Sequence, residues 1–515
     1  MFNRNTSAIL NNICYYSTRS ITEGFPTIYA LSTPPGQRSA IAIIRISGQQ
    51  SLHVYQSITG NLSIPKPRTA ILKNIYEPSS LLANSKKKKN LIDSSLFLYF
   101  QSPNSFTGEN LLEIHCHGGK AVTSAILKSI QSLNDPQRGV EIRYAGPGEF
   151  SRRAFQNNKF DLTELESINQ LIEAETEIQR KCIISSFTGE NNLKFEIWRQ
   201  DLIKCVANLT AIIDFGEDIE MSDVDSLVNK VKAEITQIKV QIESFLNRLK
   251  KSRILKDGIK ISLIGKPNAG KSSLVNCLTS NETSIVSDIP GTTRDVVDSY
   301  LDIDGYKVIL TDTAGIRQNS TDIIEKMGIA KALKSIKSSD VSLLIIDISE
   351  EKEEEEEEIT NAINNLIELS EAEDKRSMII LNKKDLVNDE DKMENITERL
   401  TKSFGTKYPI VPVSCITGDG IKDLTDMLTK EFKTLSEDLD ESSPILMSQR
   451  VTDILQNDVL FGIESFINSV ANEKDIVMAT EDLNVAIDGI GKITGQAVGV
   501  DEILDFVFSK FCVGK

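Results

Sequence analysis

No apolar run in this 515-residue sequence reaches the roughly 20 residues needed to cross a bilayer, so no membrane span is expected. Positive charge is scarce as well: 58 Lys and Arg stand against 74 Asp and Glu, a formal net charge of −16. That excludes a protein that grips nucleic acid with a broad basic face, because neutralising phosphates takes clustered Lys and Arg. An RNA substrate would have to be held by a local patch or by a partner subunit. Cysteine is sparse and scattered, at Cys14, Cys116, Cys182, Cys205, Cys277, Cys415 and Cys512. The number is odd and no C-x-x-C pair occurs, which excludes a disulfide framework and points to a reducing compartment. His115-Cys116-His117 resembles a metal pair, but adjacent residues do not all face one ion and no second ligand pair follows at zinc spacing. A strand end is the simpler reading.

Acid is also missing from the start of the chain. Residues 1–25 carry Arg4 and Arg19, are rich in Ser, Thr and Asn, and have no carboxylate before Glu23. This is the composition of a mitochondrial presequence. A frayed terminus shares it, and acid depletion in so acidic a chain favours import.

What is present begins at Thr27 with β-branched runs, IYALSTPPG and AIAIIRISG, ended by Pro-Gly and Ser-Gly punctuation. LFLYF (96–100) and LLEIHCHGG (111–119) continue the strand pattern, and a helix is expected over 120–133. Together these predict a small α+β domain over 26–150, with the Lys86–Lys89 run as a solvated loop. From Asp161 the period becomes helical, through Leu162, Leu165, Ile168 and Leu171. Val231, Ile235, Ile238, Ile242, Phe245 and Leu249 alternate steps of four and three, a seam that needs a partner helix. Helical character returns with Val451, Ile454, Ile463, Phe466, Ile467 and Val470. The expected fold is multidomain: an N-terminal α+β domain, a discontinuous helical domain over 151–254 and 435–515, and an inserted Ras-like P-loop α/β domain over 255–434. The acidic run 350–358 is assigned no function.

The inserted segment carries the chemistry. Strand Ile259–Ile264 runs into G-K-P-N-A-G-K-S, which includes Asn268, Ala269, Gly270, Lys271 and Ser272, with Ser273 following and a helix after it. Glycines there turn backbone N–H groups around phosphates, Lys271 supplies a point charge, and the Ser272 hydroxyl ligates Mg²⁺. Next come G-T-T-R-D, with Thr292 and with Thr293 placed to close the Mg²⁺ shell, and D-T-A-G, comprising Asp312, Thr313, Ala314 and Gly315. N-K-K-D supplies Asn382, Lys383 and Asp385. The Asp385 carboxylate suits the N1–H and N2 amine of guanine, a pair of donors that adenine does not present. Ser414 and Cys415 then bring a backbone N–H to the guanine O6. Five motifs in order establish GTP binding. The Gln that orients water just after D-T-A-G in Ras-like enzymes is absent, since Ile316-Arg317 stands there. A monovalent cation held by Asn268 and the SIVSDI loop (284–289) would sit where an arginine finger acts.

These nucleotide motifs, together with T-P-P-G (33–36), R-I-S-G (45–48), N-S-F-T-G-E (104–109), P-G-E-F (147–150), R-A-F-Q-N-N-K-F-D-L (153–162) and the final F-C-V-G-K, resemble the MnmE (TrmE) family of tRNA modification GTPases in its mitochondrial form. The resemblance covers nearly everything after residue 26. It implies K⁺ activation, with Asn268, Ser287, the Ile289 carbonyl and Thr292 as ligands. Ser287 stands where the family often has Thr. Glu325 is implied as the water-positioning carboxylate, with one more residue after D-T-A-G than the family pattern, and Arg294 and Cys512 as further catalytic candidates. A tetrahydrofolate derivative (5-formyl or 5,10-methylene) is implied in the N-terminal domain, held by Arg45, Glu113, Lys159 and Lys515. The implied partners are tRNA, a FAD-containing MnmG (GidA)-type protein, a second copy through the N-terminal domain, and G-domain dimerisation on GTP. The implied reaction is 5-carboxymethylaminomethyl or related modification of the wobble uridine in the mitochondrial matrix. A ribosome-assembly GTPase is the alternative; it would share the nucleotide motifs alone.

Overall fold

The computed structural model describes residues 25–82, 89–187, 190–215, 221–265, 268–281, 283–284, 298–311, 339–349, 376–387, 397–398, 400–402, 408–437, 445–473, 475–496, 501–509 and 511–514. They gather into two compact units, one of Met1–Asn169 with Ile487–Lys515 and the other of Gln170–Ala486.

In the first unit, β1 (Thr27–Leu31), β2 (Ile41–Ser47), β3 (Ile71–Tyr76), β4 (Leu91–Phe100), β5 (Leu111–His117) and β6 (Ile142–Tyr144) form a sheet in the order β3-β4-β5-β2-β1-β6. All neighbours are antiparallel except β1 and β6. Alternation along β2 decides which side chains are buried. Ile44 and Ile46 enter the core with Phe97 and Ile114, where helices Ser51–Thr59 and Lys120–Gln131 add Val54, Ile58, Ile126 and Ile130. Arg45 and Glu113 are direct register partners, so both point to the opposite face. The strand expected at 96–100 begins earlier, at Leu91, and the helix expected to reach residue 133 stops at Gln131. The His-Cys-His run does end a strand. Cys116 is buried, while His115 lies 3.4 Å from Glu113 and His117 Nδ1 donates to Asp93 Oδ1 at 2.7 Å. Helix Leu162–Glu173 buries Leu162 and Leu165 with Leu504, Val507, Phe508 and Phe511. Lys89, the described end of the lysine run, sits 5.5 Å from the Tyr76 ring.

The second unit combines helices with a second sheet. Helix Met221–Asp257 buries the whole predicted seam from Val231 to Leu249, and Phe245 packs against Phe195 and Trp198 at 5.7 and 5.6 Å. Lys239 on this helix pairs with Glu464 at 2.9 Å, joining the two helical blocks. The later seam differs from the expected one. Val451, Leu455, Val459, Ile463 and Phe466 are buried, while Ile454, Ile467 and Val470 are half-buried. A π-helical stretch at Leu455–Leu460 widens the turn and shifts the buried positions.

The second sheet contains β7 (Ile259–Ile264), β8 (Thr283–Ser284), β9 (Asp298–Ile303), β10 (Tyr306–Thr311), β11 (Val341–Asp347), β12 (Arg376–Asn382) and β13 (Ile410–Pro412), in the order β13-β12-β11-β7-β10-β9-β8. Five strands run parallel, and β9 and β8 complete one edge antiparallel. The Asp304-Gly305 turn joins β9 to β10, with the Gly305 N–H donating to Asp302 at 2.7 Å. The central strands are apolar on both faces, as parallel strands covered by helices must be. That arrangement is the Ras-like sheet, and it collects the carboxyl ends of β7, β11 and β12 along one edge.

Candidate functional site

The nucleotide cradle is built where β7 meets helix Lys271–Asn281. Gly265 ends the strand, and Asn268 adopts a φ of +66° with its side chain exposed. Gly270 has a φ of +94°, and a Cβ there would lie 2.0 Å from Asn382 Nδ2, so only glycine fits. The Lys271 ammonium donates to the Gly265 carbonyl at 2.7 Å, which aims it across the loop. Ser272 and Ser273 are exposed on the first helical turn, where free N–H groups and the dipole favour phosphate. The hydroxyl of Ser272 and the carboxamide oxygen of Asn268 are the kind of hard oxygen donors that Mg²⁺ and K⁺ take.

The base side of the cradle is a hydrogen-bonded relay. Asn382 is 2% exposed; its Nδ2 donates to the Ala269 carbonyl at 2.8 Å, and its Oδ1 accepts from Cys415 Sγ at 3.3 Å. Burial, with Cys277 and Asp385 nearby, pushes the Cys415 thiol up to about 11, so it stays protonated and able to donate. The Asp385 Oδ1 accepts from Ser414 Oγ at 2.6 Å, which leaves Oδ2 to face a base. Lys383, at a φ of +68°, is ion-paired to Asp347 at the end of β11. Burial raises the Asp347 carboxyl, but Lys383 and Ser349 outweigh it and hold the group below its ordinary range. Neither the Asp347 pairing nor the side-chain role of Cys415 was foreseen. The sequence signal for Asp347 was a single acid closing the apolar run VSLLII beside the nucleotide motifs.

Ser287, Ile289, Thr292, Thr293, Arg294, Asp312, Thr313, Ala314, Gly315 and Glu325 lie outside the described residues, as do Lys515, residues 1–24, Lys86–Lys88 and the acidic run 350–358. Among the described residues no group of three or more His, Cys, Asp or Glu is arranged to hold a metal ion, and no helix is long and apolar enough to cross a membrane.

A second constellation lies in the first unit. Arg45 Nη2 and Nε donate to Glu113 Oε1 at 2.9 and 3.1 Å, and Arg45 Nη1 to the Gly514 carbonyl at 3.5 Å. The same carbonyl accepts from Ser32 Oγ at 3.0 Å. Gly514 takes a φ of +92°, and a Cβ would come within 2.7 Å of the Leu31 carbonyl, so the tail lies flat on β1. Val513 forms a bridge to Pro147, and Cys512 is exposed beside it. Phe106 and Phe150 approach the Arg45 guanidinium at 5.5 and 6.0 Å. Lys159 is half-buried in the turn before Phe160, whose ring packs on Phe106 at 5.4 Å. Arg45, Glu113 and the tail are thus brought together, whereas Lys159 is linked to them only as the sequence neighbour of Phe160. A fixed guanidinium, a carboxylate and aromatic faces suit a flat, polar, partly anionic ligand.

The sequence matches the family model described as the GTP-binding protein TrmE N-terminus over residues 27–159, and the MnmE helical domain over residues 162–512. It is 51% identical to the Saccharomyces cerevisiae protein named tRNA modification GTPase MSS1, mitochondrial, over 95% of this chain and 93% of that one. It is 35% identical to the Danio rerio 5-taurinomethyluridine-[tRNA] synthase subunit GTPB3, mitochondrial, over 99% and 98%. The tRNA modification GTPase MnmE of Rickettsia akari is 36% identical, over 95% of this chain and 100% of that protein.

Proposed function

The chain belongs to the MnmE/TrmE family of tRNA modification GTPases, and from that premise we propose that it is a K⁺-activated GTP hydrolase of the mitochondrial matrix that modifies the wobble uridine of mitochondrial tRNAs. GTP hydrolysis and mitochondrial residence follow from the relatives named for them. The product is a 5-carboxymethylaminomethyl or related uridine, made with a folate one-carbon unit and a FAD-containing MnmG-type partner. One observation carries the reading: a single chain holds a guanine-nucleotide cradle in one unit and, in the other, an Arg45–Glu113 pair capped by the Gly514 carbonyl.

In this reading Lys271 and the N–H groups of the first helical turn take the phosphates, and Asp385 reads guanine. Ser272 and Thr293 hold Mg²⁺, while Asn268, Ser287, Thr292 and the Ile289 carbonyl hold K⁺. Bound there, the cations supply charge neutralisation between the β- and γ-phosphates. Glu325 orients the attacking water, and Arg294 is a further catalytic candidate. Asp312 would hold Mg²⁺ through water, and the Gly315 N–H would sense the γ-phosphate. Arg45, Glu113, Lys159 and Lys515 hold the tetrahydrofolate derivative, and Cys512 lies at its edge. The proposed partition has a presequence at 1–25, a folate-binding and dimerisation domain at 26–150, a helical domain at 151–254 and 435–515, and an inserted G domain at 255–434 that pairs with a second copy on GTP.

GTP turnover in KCl and NaCl at matched ionic strength tests the proposal. Activation by K⁺ at least tenfold over Na⁺, abolished in Asn268→Ala, is the expected outcome. Equal rates in the two salts would sink the K⁺ mechanism.

A further inference from the structure

A tRNA-directed protein with a formal net charge of −16 needs a local surface for phosphate, and the described residues offer one at the end of helix Met221–Asp257. Over residues 221–243 three lysines (Lys230, Lys232 and Lys239) are outnumbered by four carboxylates (Asp223, Asp225, Glu234 and Glu243). Over 247–256 the balance inverts: Arg248, Lys250, Lys251, Arg253 and Lys256 occur with no carboxylate. Lys250, Arg253 and Lys256 are spaced i, i+3, i+6 and share one face, spanning about 9 Å along the axis. All three are exposed, as is Lys251 beside them. By sequence, residues 247–257 carry five cations and one carboxylate, Asp257, which pairs with Arg253 at 2.9 Å.

Cations at a helix C-terminus often serve the helix itself, by meeting its last carbonyls and its dipole. Two observations set that role aside. Gln179 Nε2 donates to the Leu255 and Lys256 carbonyls, both at 3.1 Å, and the Gly258 N–H returns to Ile254 at 3.0 Å. The terminal carbonyls therefore already have neutral donors. Lys250 and Lys251 also stand nearly two turns before the end, beyond the reach of the dipole. Leu246, Leu249, Ser252 and Leu255 are buried along the same stretch, so the basic row rides on a helix fixed in the core. A row held in place this way binds a polyanion without first having to order its backbone.

We infer that Lys250, Arg253 and Lys256, with Lys251 beside them, bind the sugar-phosphate backbone of the tRNA substrate. The inference rests on the tRNA-modifying reading above and names a place for the contact. The row ends just before Gly258 and β7, the strand that runs into the phosphate loop, so the RNA contact and the nucleotide cradle share one continuous stretch of chain.

The test is tRNA binding by the full-length protein across 50–200 mM salt, for the wild type and for a triple variant, Lys250→Gln with Arg253→Gln and Lys256→Gln. The triple variant should bind at least tenfold more weakly, with the slope of log K against log salt shallower by about 2–3, near 0.9 per lost phosphate contact. Lys250→Arg with Lys256→Arg should keep both affinity and slope. Lys230→Gln with Lys232→Gln, elsewhere on the same helix, should leave both within twofold, and melting temperatures report that each variant is folded. A triple variant that binds like wild type overturns the surface while leaving the tRNA reading intact. A wild-type protein that binds no tRNA at any salt overturns both. Equal weakening by the 230/232 pair reduces the effect to net charge and overturns the assignment. Loss of binding to phosphatidylserine vesicles with tRNA binding retained would make this a membrane contact instead.

Discussion

Asn382 closes the nucleotide cradle from within, and the consequences can be stated residue by residue. Gly270→Ala places a methyl against Asn382 Nδ2 and forces a non-glycine residue to a φ of +94°. Strain of that kind costs about 1–3 kcal/mol, so GTP affinity should fall roughly tenfold to a hundredfold, as fluorescent-nucleotide titration will read. In the other unit Asp93 is nearly buried and accepts from the His117 backbone, the His117 ring and Ser95. Burial raises its carboxyl, and these donors outweigh it and hold the group below the ordinary range. A depressed carboxylate stabilises the fold above its unfolded pKa and loses that contribution as pH falls through the folded value. Thermal melting from pH 7 to pH 2 should therefore show a steep acid limb, flattened in Asp93→Asn. The phosphate-loop residues were legible in sequence because phosphate chemistry dictates both residue type and spacing. The thiol of Cys415 meeting Asn382 was not, since no periodicity records a contact between residues 33 apart.

At the level of elements, a buried charge cluster holds the tail-bearing face together. Arg153, on helix Glu149–Gln156, donates to Glu109 at 3.1 Å, to Glu149 at 3.0 Å and to the Pro26 carbonyl at 2.8 Å. Glu109 also accepts from Ser47 at 2.7 Å, and Glu149 from the Gly146 N–H at 3.0 Å. One cluster thus fixes the end of β2, the loop carrying Phe106, and the turn that meets Cys512 and Val513. The side chains of Arg153 and Glu109 are 4% and 5% exposed, so removing one partner strands a buried charge. Arg153→Met should destabilise this unit by about 3–5 kcal/mol in denaturant melts, and adding Glu109→Leu should recover most of that loss. In the second unit Lys307 on β10 pairs with Glu175 at 2.6 Å, which anchors the hairpin between the two nucleotide-sensing motifs. Strands and seams were legible because alternation and helical period follow burial. The shift of the seam to Leu455 and Val459 was not, because a π-helical turn breaks the period that sequence reading relies on.

For the molecule as a whole, the notable connectivity is the return of Ile487–Lys515 to the unit that begins the chain. Helix Asp501–Ser509 falls in the segment expected to be helical, but sequence does not say whether its apolar face joins Leu162 and Leu165 or the other unit's core. The F-C-V-G-K tail pointed to the N-terminal domain only through its family resemblance. Deleting residues 512–515 should weaken tetrahydrofolate-derivative binding at least tenfold in equilibrium dialysis. GTP affinity should stay within twofold, because no part of the cradle is removed.

The Ser32 hydroxyl meets the Gly514 carbonyl across 482 positions of sequence. A chain made at about 5–20 residues per second needs roughly 25–95 s to span that interval. Throughout that time the nascent first sheet has an Arg45 that still lacks its carbonyl partner. Under the proposed function, the Arg45 site would be complete only once the last residues of the chain have been made. In that reading, a chain ended before Gly514 would present the first sheet and the nucleotide cradle with the Arg45 pair left uncapped.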